Sequence, residues 1–316
     1  MNTYLIIGGA GFIGSHLAER LIKNGDKVII YDTFQHNALI YLDVDILDKL
    51  IINSKSEDIL NKDDLEQIFQ CFDIDTIIHC ASIAGIDAVN DKYSKMLRIN
   101  LEGTQKVVDV ANKFNVQKLV YLSTSEVYGQ NACYNSEDEH LSIGGATFKR
   151  YGYAASKLAA EHIIATFDNP YIIIRPFNVY GSRQIGNGAI KTFIVNALKK
   201  EPIIITGGGS QIRAWCYIDD FIDAMIRLIY SDSRNETYNI GNPQEPVSIF
   251  QLANMITHKV GYLKKYQYSC RYEDDVKIRI PNIDKLIKFN HFNPKTNLEE
   301  GIETTIKWYK EYLKQF

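Results

Sequence analysis

Short apolar runs alternate with amphipathic stretches through the first half of the chain. The segments Tyr4–Ile7, Lys27–Tyr31, Thr76–Cys80, Lys118–Ser123 and Tyr171–Arg175 are short and mostly apolar, the pattern of strands buried on both faces. Between them, apolar positions recur at helical spacing over Phe12–Asn24, which stops at Gly25, and over Asp63–Phe72, Lys92–Phe114 and Tyr153–Phe167. This alternation predicts an α/β fold: a doubly wound parallel sheet, joined by right-handed crossovers and covered by helices on both faces. After Arg175, glycine and proline become common and the strands shorten to Ile203–Thr206, Trp215–Ile218 and Tyr266–Arg271. The helical patterns Ile190–Lys200, Ser248–Lys259 and Leu298–Leu313 lie among them. The division expected is a sheet domain over 1–176, to which 219–241 return, and a smaller lobe over 177–218 and 242–316.

Composition narrows the function classes. A chain of 316 residues that is 46% hydrophobic can bury a sizeable core. A formal net charge of -3 supplies no basic field for nucleic acid or an anionic membrane. No apolar run is long enough to span a bilayer. The chain opens on a strand pattern without the regions of a signal peptide, so a cytoplasmic location is expected. Cys71, Cys80, Cys133, Cys216 and Cys270 are scattered without a C-x-x-C pair. They read as buried reduced thiols, and no metal site is expected.

Candidate chemistry begins at Gly8-Gly9-Ala10-Gly11-Phe12-Ile13-Gly14, directly between the first strand and the first helix. Gly9, Gly11 and Gly14 fit G-x-G-x-x-G, and Gly8, Gly11 and Gly14 fit the sister spacing G-x-x-G-x-x-G. Glycines there permit a tight turn and a close approach of backbone to a pyrophosphate at the positive end of the helix. Asp32 closes the second strand about 20 residues on, where a ribose-binding carboxylate belongs. A carboxylate at that point repels a 2′-phosphate, which favours NAD over NADP.

Tyr153 and Lys157 stand four residues apart on a predicted helix and share one face. An ammonium one turn away, with a positive nicotinamide, favours the phenolate of a tyrosine whose ordinary pKa is about 10. Such a phenolate takes a hydroxyl proton while hydride leaves the same carbon. Twenty tyrosines make a chance Y-x-x-x-K easy, so position carries the weight. The helix follows the strand that ends in Ser123-Thr124-Ser125-Glu126, and the carboxyl end of a parallel strand faces a ligand crevice.

Taken together, GGAGFIGSHL, IIHCAS, NLEGT, STSEVYG, YAASK, RPFNVYG and GSQIRAWCYIDD resemble the extended short-chain dehydrogenase/reductases of the NAD-dependent epimerase/dehydratase family, over nearly the whole chain. The resemblance implies NAD as cofactor and C4 oxidation of a nucleotide-diphosphate sugar. Tyr153 would be the base, Lys157 its partner and a cofactor contact, and Thr124 the third member. It implies cofactor contacts at Gly8, Gly11, Phe12, Ile13, Gly14, Asp32, Asp58, Ile59 and Ala81. Substrate contacts would fall at Ser125, Asn178, Arg213 and Arg271, the two arginines gripping the diphosphate, with Arg279 as the rival of Arg271. The plain alternatives are a structural ion pair for each arginine and a satisfied loop residue for Asn178. It also implies a homodimer, built through Lys92–Phe114 and Tyr153–Phe167.

The 4-keto sugar is then released, or carried on by dehydration, epimerisation or decarboxylation. Thr124-Ser125-Glu126 resembles GDP-mannose dehydratases and UDP-glucuronate decarboxylases, whereas 4-epimerases usually lack that glutamate. Glu126 is a candidate second base, or a residue that merely orders the site. The long segment Asn131–Arg150, with Glu137-Asp138-Glu139, is expected to loop over the substrate. A non-catalytic NAD-sensing protein of the same fold is the competing reading, and the intact Thr124, Tyr153 and Lys157 argue against it.

Overall fold

The computed structural model describes residues 1–52, 58–84, 92–262, 265–270 and 276–315. Seven strands form the main sheet. They are β1 (Thr3–Ile7), β2 (Lys27–Tyr31), β3 (Ile51–Ile52), β4 (Thr76–His79), β5 (Lys118–Leu122), β6 (Tyr171–Pro176) and β7 (Glu236–Ile240). Their spatial order is β7-β6-β5-β4-β1-β2-β3, and every pairing from β3 across to β6 is parallel. Strands β1, β2 and β4 are buried almost throughout because helices cover both faces, which is why they read as unbroken apolar runs. The order reverses between β1 and β4, so the loops leaving these two strands diverge and open the crevice where this fold binds ligands.

The chain divides into two compact units. The first comprises Met1–Val127, Ile143–Arg175 and Ile222–Tyr238; the second comprises Tyr128–Ser142, Pro176–Phe221 and Asn239–Phe316. Residues 128–142, expected with the sheet domain, cluster with the second unit. The strand Asn131–Cys133 pairs in parallel with Ile278–Ile280, and buried Glu137 accepts the Asn239 amide at 2.8 Å. The start of the segment expected to loop over the substrate is thus a strand of a small sheet, and its acidic stretch is tied through Glu137 to the strand Glu236–Ile240.

Two further expectations change. The pattern Lys92–Phe114 becomes a helix Tyr93–Arg98, one π-turn Ile99–Gly103 and a helix Thr104–Lys113. Hydrophobic spacing barely registers one extra residue in a turn, so the bulge was invisible in the pattern. All five cysteines are free, but Cys71, Cys133 and Cys270 are exposed and only Cys216 is buried. The second unit has clear local signals of its own. Ser248 and Gln251 form a capping box on the helix Ile249–Val260, which ends at left-handed Gly261. No helix among the described residues is long and apolar enough to cross a membrane.

Candidate active site

The glycine-rich turn leaves β1 with Gly8 at φ 82°, a backbone that L side chains rarely adopt. A Cβ on Gly8 would lie 2.6 Å from the Ala81 nitrogen, and one on Gly14 would lie 2.4 Å from the Gly8 carbonyl. Glycine is thus required for the turn to touch both the strand β4 exit and the helix Phe12–Lys23. That helix starts at Gly11 without a side-chain cap. The amides of Phe12, Ile13 and Gly14 belong to its first turn, whose N–H groups have no partner within a helix. Such a cradle of backbone donors at a helix start fits a pyrophosphate.

Asp32 closes β2 as expected. One carboxylate oxygen accepts the Ala10 amide at 2.9 Å and the other accepts the Phe34 amide at 2.8 Å. The aspartate therefore ties the glycine turn to the second strand, and with a further bond from the Thr33 amide its two oxygens still have acceptor capacity for a ribose hydroxyl. Burial raises its pKa above the usual carboxylate value, against the pull of those amides. Asp58 is similarly engaged: its side chain accepts the Leu60 amide at 3.0 Å and its carbonyl accepts the Tyr31 hydroxyl at 3.0 Å. Buried Ile59 packs so closely on the π-turn that a Cβ on Gly103 would lie 2.9 Å from it. These residues fit the adenosine half of a dinucleotide.

Tyr153 and Lys157 stand on the helix Arg150–Ile164, three residues earlier in its start than the sequence pattern suggested. Tyr153 is half-buried, whereas Lys157 is 1% exposed. The Lys157 ammonium donates to the Leu122 carbonyl at the end of β5 and lies 4.2 Å from the centroid of the Tyr121 ring. Burial pushes the Lys157 pKa down to about 7, while Glu161 and Cys80 push it back up. Thr124 and Ser125 follow β5 and are both buried. The Thr124 hydroxyl oxygen accepts the Glu126 amide at 3.2 Å, which leaves its O–H free to donate. Glu126 is half-buried and lies 3.7 Å from the Arg150 guanidinium. Two contacts, Lys157 with Leu122 and Arg150 with Glu126, thus bring the helix against the strand end.

Two residues that the motif segments contained received no role from sequence. His79 is buried, its Nε2 lies 3.1 Å from the Thr104 hydroxyl, and burial beside the Lys157 charge lowers its pKa to about 3. Asn100, inside the π-turn, donates to the Ser156 hydroxyl at 3.0 Å and accepts from Ser82 at 3.0 Å; Ser156 in turn donates to the Tyr153 carbonyl at 2.8 Å. This chain of bonds steadies the tyrosine turn of the helix. The NLEGT segment was its one trace in the sequence.

Of the residues expected to contact phosphate, Arg213 and Arg271's rival Arg279 stand in the second unit. Arg213 and Arg279 are partners in register on adjacent parallel strands, Ile212–Arg213 and Ile278–Ile280, and both are buried. The Arg213 guanidinium donates to the Ile212 carbonyl at 2.9 Å and the Val276 carbonyl at 2.7 Å. Asn178 is left-handed at φ 40°, and its side-chain amide donates to the Ala214 carbonyl at 2.8 Å, so it also builds the turn it stands in. Arg271 lies outside the described residues. No cluster of three or more His, Cys, Asp or Glu among the described residues is placed to hold a metal ion.

Residues 4–241 match the profile of the NAD dependent epimerase/dehydratase family. The chain is 31% identical over 319 residues to a UDP-N-acetyl-alpha-D-glucosaminuronate decarboxylase of Bacillus cytotoxicus, covering 97% of each. It is 31% identical over 328 residues to a UDP-glucuronate 4-epimerase of Thermodesulfobacterium geofontis, covering 99% of this chain and 98% of that one. Its structure matches the UDP-glucuronic acid 4-epimerase of Bacillus cereus, crystallised with UDP-glucuronic acid and NAD, with a TM-score of 0.87 at 28% identity over 98% of this chain and 99% of that one.

Proposed function

The chain belongs to the NAD-dependent epimerase/dehydratase family, and from that premise we propose that it oxidises C4 of a UDP-linked sugar, with a UDP-hexuronate as the substrate class. The observation that carries this reading is Lys157: an ammonium with no surface, one helical turn from Tyr153, pinned at the carboxyl end of a central parallel strand. A buried cation at that cost has a chemical use, the stabilisation of a phenolate.

The first unit holds NAD. Gly8, Gly11, Phe12, Ile13 and Gly14 cradle the pyrophosphate, Asp32 takes the ribose, Asp58 and Ile59 flank the adenine, and Ala81 lines the path of the cofactor. When bound, the nicotinamide supplies the hydride acceptor. The Tyr153 phenolate removes the proton of the sugar hydroxyl, and Lys157 holds the phenolate ionised. The Thr124 O–H donates to the same sugar oxygen, and Ser125 is a further substrate contact. The second unit contributes Arg213 and Arg279, paired guanidiniums suited to a diphosphate, with Asn178 and Arg271 as further contacts.

Once C4 is a ketone, a uronate carboxylate at C5 makes a β-keto acid and leaves as carbon dioxide, the bonding pair forming an enolate that takes up a proton at C5, or the sugar is reduced again from its other face. Glu126, 3.7 Å from the Arg150 guanidinium, is the candidate acid–base residue for the second step, or a residue that orders the site. The working form is a cytoplasmic homodimer. The test is incubation with NAD and a panel of UDP-, GDP-, CDP- and dTDP-sugars, followed by mass spectrometry. A product from UDP-glucuronate or its N-acetyl analogue is expected. No turnover with any sugar, together with tight NAD binding, would establish the sensor reading instead.

A further inference from the structure

Tyr153, Lys157 and Glu161 follow one another at four-residue intervals along one face of the helix Arg150–Ile164. Glu161 is 6% exposed and is held from three directions. Arg175 on β6 donates to both of its carboxylate oxygens, at 3.0 and 2.7 Å, and the Ser123 hydroxyl donates at 2.5 Å from the end of β5. Arg175 and Ser123 are themselves buried. The proposed chemistry does not use this cluster, and a buried ion pair is seldom a net gain in stability over apolar packing.

We propose that Glu161 is a positioning residue that keeps Lys157 charged, so that Tyr153 ionises near neutral pH; this rests on the reading of Tyr153 as the base. The groups facing Lys157 leave few other sources of negative potential. On its own helix are Tyr153 and Glu161; β5 presents the Tyr121 ring and the Leu122 carbonyl; the end of β4 presents His79 and Cys80. His79 is neutral at working pH because its pKa is held at about 3, and Cys80 remains a thiol because burial raises its pKa to about 12. Glu161 is then the carboxylate within that set. Burial drives the Lys157 ammonium to shed its proton, and Glu161 opposes this. Arg175 and Ser123 let a carboxylate exist at that depth by filling its lone pairs with charge-assisted and hydroxyl hydrogen bonds.

The experiment is an ultraviolet difference titration of tyrosinate in the NAD-bound protein, with Tyr153→Phe subtracted to isolate the phenolate of interest. Glu161→Gln keeps the shape and removes the charge. The double variant Glu161→Gln/Arg175→Gln removes both charges and avoids stranding Arg175, and circular dichroism reports whether each is folded. The expected result is a midpoint about one pH unit higher in the folded variant, a roughly tenfold loss of phenolate at pH 7, with most of the wild-type ionisation regained in Glu161→Asp. An unchanged midpoint in the folded double variant would overturn the proposal and leave Tyr153 as base. A titration of Tyr153→Phe identical to wild type would instead remove the base reading itself.

Discussion

Each unit buries cations, and apart from Arg175, which serves Glu161, those assigned to the candidate site differ in kind. In the first unit the buried cation of the candidate site is an amine, Lys157, and burial brings its pKa down to about 7. In the second unit the paired cations are guanidiniums, Arg213 and Arg279, which stay charged at any working pH. An amine that sits close to its own titration can tune a proton transfer. A guanidinium that never titrates, and whose geometry matches phosphate oxygens, can only anchor. The identity of the buried cation thus separates chemistry from binding more cleanly than burial does, since Lys157 is 1% exposed and Arg213 is still only 8%.

The sharpest way to break this contrast is at Tyr153, the proposed base. Tyr153→Phe is expected to lower kcat by about 10³-fold or more, within the range typical of general acid–base catalysis, while NAD affinity measured by calorimetry stays near wild type. Retained turnover would remove Tyr153 as the base. Lys157→Arg places a non-titrating fork where an amine now fits, and is expected to cost roughly 10²-fold in kcat with a weaker dependence on pH. The reciprocal change, Arg213→Lys, should raise KM for the nucleotide sugar about 10-fold or more and leave kcat nearly unchanged, because a bidentate charged contact worth about 1.5–3 kcal/mol is lost from ground and transition states alike. A fall in kcat with constant KM would move Arg213 into the chemistry.

The smallest expected effect concerns stability. His79 has its pKa depressed from 6.5 to about 3, so the folded protein resists a proton that the unfolded chain accepts. Its contribution is present above about pH 6.5 and is lost as pH falls towards 3, with a slope of at most about 1.4 kcal/mol per pH unit for one group. Urea denaturation of wild type and His79→Asn across that window should give a shallower pH dependence for the variant. Parallel curves would place the acid sensitivity in groups other than His79.

Local signals carried much of the candidate site into view. The glycine spacing, Asp32 and the tyrosine–lysine interval depend on short-range geometry, since a turn, a strand end and one helical period are all encoded within a few residues. The strand β2 was legible to its ends for the same reason: apolar runs and a terminal aspartate mark it directly. The π-turn around Asn100 and the buried role of His79 were hidden, because neither changes hydrophobic periodicity and each is defined by partners 18 to 56 positions away along the chain.

What the sequence determined alone is therefore a parallel α/β fold with a dinucleotide turn, a tyrosine–lysine pair and a chain of family motifs. Only the tertiary structure decided that Tyr128–Ser142 joins the second unit, that Arg213 lies in register with Arg279, and that Arg175 and Ser123 close on Glu161 of the helix Arg150–Ile164. The physical reason is range. Propensity and period act over one turn or one strand, whereas the burial of a charge depends on which distant segments arrive to neutralise it.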